Sequence, residues 1–556
     1  MTVPEPPSSL RIALLTYKGN PYSGGQGVYA RNLSRELVAL GHRVEVFAGQ
    51  PYPVLDEGVG FTPVPSLDLY RQPDPFRTPR PGEYRDRIDL LEVATMWTAG
   101  FPEPRTFALR AARLLAARAA EFDLVHDNQC LGYGLLKLPG AGLPLVATIH
   151  HPVRVDRELE LAEATGFRRI SLRRWYAFTK MQAKVARRLS EIITVSSSSA
   201  AQITEYMGVR PERIVTIPIG TDVDRYRPDP AIPRVSGRIV TTASADSPLK
   251  GLDVLIEAFA KVRADYPHAH LVVIGKPKKG GPALRAIEEL GLADSITFTA
   301  GLSDDELIDT LRSAEIACVP SRYEGFSLPA VEAMAVGLPL VSTTGGALPE
   351  VAGPDGQTTL AVPPGDAPAL AGALIRLLGD PELRARLGAA ARERAVTRFT
   401  WRAAAIATAE RYRIRLDAEA RAARGSRPAT TTRSTITAPT FTAPTITTPI
   451  FTAPAITAPI IATPAITALA ITAPAPSSPT TTRSADSGFT NADPITALST
   501  SDLPNPALGG VGAAVLPGVL GPAGAAPVPA EFPALPEIAA TILRTDDPSK
   551  KGHLPC

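Results

Sequence analysis

From residue 11 to about residue 420 the chain alternates short apolar runs with longer stretches of helical spacing, and no other feature constrains its fold as tightly. RIALLTY, HRVEVFAG, LVHDNQ, LVATIHH and IITVSSSS are too short for helices and end in polar groups or glycine. Between the first two, VYARNLSRELVAL places Tyr29, Leu33 and Leu37 on one helical face. A second series starts near Gly237, with RIVTTAS, HLVVIG, SITFTAG, EIACVP and LPLVSTTGG separated by helical runs such as GLDVLIEAFAKVRAD. Apolar strands that alternate with helices are covered on both faces, which predicts parallel sheets. The expected class is α/β: one unit over 10–215, a second over 216–399, and a cleft between their strand tips. Residues 400–422 predict a terminal helix that packs back on the first unit, with Trp401, Ala405 and Tyr412 on its apolar face. Residues 50–107, rich in Pro and charge, predict a long and only partly ordered insertion.

The pattern stops after RYRIRLDAEAR. Residues 423–476 repeat with a period of five, with Pro at 439, 444, 449, 454, 459, 464 and 474 and a miss at Leu469. Pro at that spacing breaks helices and disfavours central strands, so an extended, disordered spacer is expected. Residues 477–556 have no dependable period and suggest no role. A net charge of +3, with 20% charged residues, gives no global field for nucleic acid. Three cysteines make no disulfide framework, no metal-ligand spacing appears, and Cys318 reads as a small buried hydrophobe. The N-terminus lacks the basic stretch of a signal peptide, and the uncharged run 507–530 is too rich in Gly and Pro for a good membrane span. A cytoplasmic enzyme is expected.

Residues 321–346, SRYEGFSLPAVEAMAVGLPLVSTTGG, carry the chemistry. A strand ends at Pro320, a glycine-containing loop follows, and Pro329 suits the first turn of a helix. A loop that leaves a strand tip and opens a helix is where α/β sheets hold nucleotides and phosphates. Glu324 and Glu332 are suited to the hydroxyls of a ribose and a sugar, with Glu332 expected in the first helical turn. The amides around Phe326, Ser327 and Leu328 would meet a phosphate. Glycines after the first strand, Gly24 and Gly25, also suit close phosphate contact.

EGFSLPAVEAMAVGLPLVSTTGGALPEV resembles the donor motif of retaining glycosyltransferases of family 4, whose E-x7-E signature matches Glu324 and Glu332. SGGQGVYARNL, TIHHP, IPIGTDVDRYRP and PLKG lie in the family's order, and the resemblance covers residues 10–415. It implies the GT-B fold, two Rossmann-like domains facing across a cleft, and a nucleotide-diphosphate sugar as donor substrate with no cofactor or metal. It implies that Lys250 neutralises the diphosphate, that His150 donates to the transferred sugar, and that Gly220 and Asp222 form a turn near the cleft. Asp127, Asn128 and Gln129 would face the acceptor, a sugar, polyol or lipid-linked hydroxyl compound. Many relatives carry a Gly–Arg pair where this chain has Ser244 and Ala245, and Lys276, after the strand HLVVIG, is the best placed substitute. Two rival functions are a nucleotide-sugar epimerase on the same architecture and a scaffold that binds donor without transfer.

FRRISLRRWYAFTKMQAKVARRL, residues 167–189, mixes eight basic residues with apolar ones at mostly helical spacing. It reads as an amphipathic helix packed on the first sheet. The alternative is peripheral docking to an anionic membrane with Trp175 in the interface.

Overall fold

The apolar runs of the first series form one parallel sheet. Its strands are β1 (Arg11–Thr16), β2 (Arg43–Ala48), β3 (Gly60–Pro63), β4 (Leu124–Asn128), β5 (Leu145–Ile149), β6 (Ile192–Thr194) and β7 (Ile214–Thr216). They lie in the order β3-β2-β1-β4-β5-β6-β7. In the central register Leu14 stands between Val46 and His126, which puts a histidine in the middle of the sheet. The second series gives β8 (Arg238–Thr242), β9 (His270–Ile274), β10 (Ile296–Thr299), β11 (Ile316–Val319), β12 (Leu340–Thr343) and β13 (Leu360–Val362). Their order is β10-β9-β8-β11-β12-β13, again parallel throughout. Each sheet reverses its strand order once, between β1 and β4 and between β8 and β11. Such switch points open a crevice at the carboxyl ends of the strands.

The computed structural model describes residues 9–19, 25–71, 74–243 and 248–425. Gly24, Ser244, Ala245 and the expected tail segments therefore lie outside the described residues.

Helices cover both faces of the sheets. In the first domain these are α1 (Gly25–Ala39), α2 (Arg87–Trp97), α3 (Glu103–Ala117), α4 (Arg154–Glu163), α5 (Gly166–Trp175), α6 (Phe178–Ala186) and α7 (Ser197–Gln202). In the second they are α8 (Leu252–Asp265), α9 (Pro282–Glu289), α10 (Asp304–Arg312), α11 (Leu328–Ala335), α12 (Leu348–Ala352), α13 (Ala367–Gly379) and α14 (Pro381–Arg398). The chain then returns to the first domain as α15 (Trp401–Gly425), against α1. Trp401, Ala405 and Tyr412 are all buried there, and Arg411 forks onto Glu191 at 2.6 and 2.8 Å.

Residues 50–107 differ from expectation. The described residues of this stretch, 50–71 and 74–107, form an ordered layer containing α2 and the start of α3. The charges that read as solvated are neutralised internally: Arg110 of α3 pairs with Asp89 and Glu92 of α2, while Asp86 caps α2. Leu67, Leu69, Val93 and Met96 close a small core beneath. The basic run 167–189 also differs, breaking at Tyr176 and Ala177 into α5 and α6. Trp175 is buried, with ring centroids 5.0 Å from Phe101 and 5.8 Å from Tyr70, so it cannot enter a membrane interface. Phe167 and Ile170 point outward instead.

The two domains are joined by two adjacent strands of chain. Thr221 donates its N–H to Phe399 O at 2.9 Å, and a Cβ on Gly220 would lie 2.4 Å from the Thr400 backbone. Only glycine allows that crossing, which accounts for Gly220 without a ligand. Asp222 accepts the Arg225 N–H at 3.1 Å and so fixes the turn that follows.

Candidate functional site

The switch point of the second sheet brings together the loops after β8 and β11. Gly251, at φ 63°, lies so close to Pro320 that a Cβ would stand 2.1 Å from its carbonyl oxygen. This contact presses Lys250 against the β11 loop. Lys250 Nζ reaches both oxygens of Glu324, at 2.9 and 3.1 Å, and Ser321 Oγ donates to Glu324 Oε1 at 2.7 Å. Glu324 is 8% exposed, so its charge is matched where water is scarce. An ammonium held this way is a fixed point charge at a strand tip.

Three residues on, Ser327 caps α11 with φ 92°, a left-handed conformation that costs a non-glycine residue about 1–3 kcal/mol. Its Oγ is buried without a partner among the described residues. Strain and an unsatisfied hydroxyl meet at the mouth of α11, where backbone N–H groups suit an anion. The Phe326 side chain is core, edge-on to Phe399 at 5.7 Å, and leaves only its backbone for a ligand. Leu328 is the first residue of α11, which puts Glu332 in the second turn rather than the first. The Glu332 side chain keeps a partial opening, yet burial and then the charge of Asp304 push its pKa up to about 7.

Lys276 is exposed beyond β9 and has no ion pair among the described residues. Among the described residues, nothing packs within 4 Å of a Cβ built on Gly25, the first residue of α1.

Across the cleft, β4 and β5 end side by side. His150 Nε2 lies 2.8 Å from Asn128 Oδ1, while Asn128 Nδ2 donates to Gln26 O at 3.0 Å. Gln129 accepts the His150 N–H at 2.7 Å and donates to His151 O at 2.8 Å. The Tyr29 ring stands edge-on to His150 at 4.8 Å. Burial, helped by the neighbouring charge of His151, pushes His150 down to about 3, so it is neutral. Burial also opposes a charge on His151, but the hydrogen bond and charge of Asp156 outweigh it and raise its pKa. His151 feels Lys250 and Glu324 as well, which ties the two sides of the cleft electrostatically.

Asp127 does not face an acceptor. It is fully buried, and its carboxylate accepts the Leu131 N–H at 2.8 Å and the Cys130 N–H at 3.3 Å. Burial raises it to about 7 despite those bonds. Asn128 and Gln129 likewise spend their polar atoms on the two histidines and Gln26.

Sequence reasoning missed two groups. The serines after β6 reach across the cleft: Ser196 Oγ donates to Gly325 O at 2.6 Å, and Glu350 of α12 accepts the N–H groups of Ser197 and Ser198 at 3.0 and 3.1 Å. Four serines at a strand tip were the available signal. The second group is Lys18, paired with Glu103 at 3.0 Å over the rings of Tyr70 and Phe101. No local motif announces it.

Among the described residues, no group of three or more His, Cys, Asp or Glu is arranged to hold a metal ion. No helix there is long and apolar enough to cross a membrane.

Residues 23–225 match the Glycosyltransferase Family 4 family, and residues 229–394 match Glycosyl transferases group 1. An MMP alpha-(1->4)-mannosyltransferase of Mycolicibacterium hassiacum is 53% identical over 404 residues, covering 72% of this chain and 98% of that protein. A D-inositol 3-phosphate glycosyltransferase of Segniliparus rotundus is 30% identical over 426 residues, covering 73% of this chain and 89% of the relative. Two solved structures share the fold. Sucrose-phosphate synthase from Thermosynechococcus elongatus has a TM-score of 0.56 at 24% identity, covering 74% of this chain and 100% of its own. Anabaena HepE in complex with UDP and glucose has 0.53 at 19%, covering 72% and 98%.

Proposed function

Since the chain belongs to glycosyltransferase family 4, and is a glycosyltransferase on the GT-B fold, we propose that it moves a mannosyl group from a nucleotide-diphosphate donor to a glycan hydroxyl, forming an α-(1→4) link. The mannosyl group and linkage rest on the 53% identity to the mannosyltransferase. The chemistry rests on one observation in this chain: Lys250, locked by Glu324, beside the strained and unpartnered Ser327 at the mouth of α11.

In this reading the donor diphosphate lies between Lys250 and the α11 amides, while Glu332 holds the ribose diol. The C1–O bond breaks, and its electron pair leaves on a phosphate oxygen. The acceptor hydroxyl attacks the same face, and its proton passes to that phosphate oxygen, so configuration is retained. The cation and amides stabilise charge that grows only as the bond breaks, which lowers the barrier. No carboxylate serves as nucleophile, since Glu324 is spent on Lys250 and Ser321. Lys250 meets the departing charge in place of a metal, with Lys276 as a second cation if the loop after β9 swings in. The serines and Glu350 hold the domains together and limit access of water.

The test incubates the purified full-length protein with a panel of nucleotide sugars and an α-(1→4)-mannan oligosaccharide, and reads products by mass. One added hexose from a mannose donor, unchanged by EDTA, is expected. A donor altered without any acceptor product would turn the assignment to an epimerase. Donor binding with neither product would leave a scaffold.

The peripheral anionic-membrane contact, in a cytoplasmic enzyme, now rests on Phe167 and Ile170, exposed on α5 beside Arg168, Arg169 and Arg173.

A further inference from the structure

The orientation of the Asn128 amide determines which nitrogen of His150 carries its proton. The Gln26 carbonyl can only accept, so the Asn128 atom 3.0 Å from it must be the N–H group. The other end of the amide, Oδ1, therefore faces His150 Nε2 at 2.8 Å and can only accept in turn. The opposite arrangement would set one oxygen against another and the amide hydrogens against the ring. A neutral imidazole has a single ring proton, and among the described residues the one hydrogen-bond geometry that uses it is Nε2–H to Asn128. Nδ1 keeps its lone pair and has no partner among the described residues. The ring cannot rotate away, because Tyr29 packs against it edge-on at 4.8 Å, and the Tyr29 hydroxyl is anchored to Thr148 Oγ1 at 2.9 Å. Gln129 holds the His150 backbone as well.

We propose that Asn128 fixes the His150 proton on Nε2, so that His150 meets the donor sugar as a hydrogen-bond acceptor through Nδ1 and selects sugars that present a hydroxyl hydrogen there. The contact then runs opposite to the expectation that His150 donates. Asn128 and Tyr29 are positioning residues that act through His150, and the selection of the sugar rests on reading this cleft as a nucleotide-sugar site. A fluorine in place of that hydroxyl keeps the shape but has no hydrogen to give.

Two measurements test this separately. Long-range 1H–15N spectra of histidine-labelled full-length protein, with His150 assigned by the signal lost in His150→Phe, report the proton position without any substrate. The wild type should show a bare Nδ1. Asn128→Leu should give a mixture of the two tautomers, and Asn128→Asp, which restores an acceptor, should return the proton to Nε2. A proton on Nδ1 in the wild type, or an unchanged tautomer in Asn128→Leu, overturns the proposal. If Asn128→Leu does not fold, the wild-type and Asn128→Asp spectra still decide.

The second measurement is calorimetric binding of GDP-mannose and its deoxyfluoro analogues, one hydroxyl at a time. Binding is read instead of turnover because fluorine also slows formation of an oxocarbenium-like centre. One position should weaken binding about tenfold or more, and that loss should vanish in His150→Phe. Equal binding of every analogue overturns the selection but leaves the tautomer standing. If no mannose donor binds, the functional reading fails while the spectra stand alone.

Discussion

Glu332 shows how a single residue's environment sets a measurable pH dependence. Its carboxyl is raised to about 7 by burial and by Asp304, against an ordinary value of about 4.5. The folded protein therefore holds this proton more tightly than the unfolded chain does. The sign follows: Glu332 costs no stability below pH 4.5, lowers stability as pH rises from there toward 7, and has a constant effect above. Glu332→Gln should accordingly unfold at a higher temperature than wild type at pH 8 and nearly match it at pH 4.5. Binding works in the other direction, because a ribose diol donates to the ionised form. Affinity for a nucleotide sugar, whose bridged diphosphate does not titrate here, should rise with pH through about 7 in the wild type and stay flat in Glu332→Gln. Calorimetry in two buffers of different ionisation enthalpy would show proton release on binding. A wild-type affinity independent of pH would remove Glu332 from the ribose. The spacing of the two glutamates was legible in the sequence. Their roles were not, because pairing Glu324 with Lys250 requires a contact across 74 residues.

At the scale of elements, α15 does more than close the chain. Tyr412 reaches into the first sheet, where its hydroxyl lies 2.5 Å from His126 Nδ1, while His126 Nε2 lies 2.8 Å from Thr148 Oγ1. All three side chains are buried, and burial holds His126 neutral with its pKa near 3. Tyr412→Phe leaves the ring and removes one buried partner, so it should destabilise by about 1–3 kcal/mol. Thermal unfolding should fall by a few degrees, roughly 2–4 °C per kcal/mol. An unchanged transition would mean that water or a rearranged His126 replaces the hydroxyl. The apolar face of α15 was readable from its period, since Trp401, Ala405 and Tyr412 share one side. Its polar tip was not, because a histidine in the run LVHDNQ looks the same whether it meets water or a tyrosine 286 residues away.

For the whole molecule, the exposed face of α5 decides how the protein would sit on a charged surface. Phe167 is 58% and Ile170 62% exposed, and no acidic side chain interrupts GFRRISLRRW. Full-length protein should sediment with vesicles rich in anionic lipid at low salt and release as salt screens the arginines. Phe167→Ser with Ile170→Ser should abolish binding without changing the unfolding temperature. Wild-type protein that stays in the supernatant at low salt would exclude this contact. The sequence by itself determined the alternation of strands and helices, the two parallel sheets, the return helix and the loop that opens α11. These follow from local periodicity and from the backbone needs of Pro and Gly, which act within a few residues. Only the tertiary structure decided that Asp127 turns inward, that Trp175 is core, that the 50–107 layer is ordered, and which atoms flank His150. Asp127 turns toward the nearby Cys130 and Leu131 N–H groups because the packed sheet buries it, and the others depend on partners farther along the chain, such as Arg110 for Asp89, Phe101 for Trp175 or Gln26 for Asn128; burial then makes an unmatched polar group too costly to leave alone.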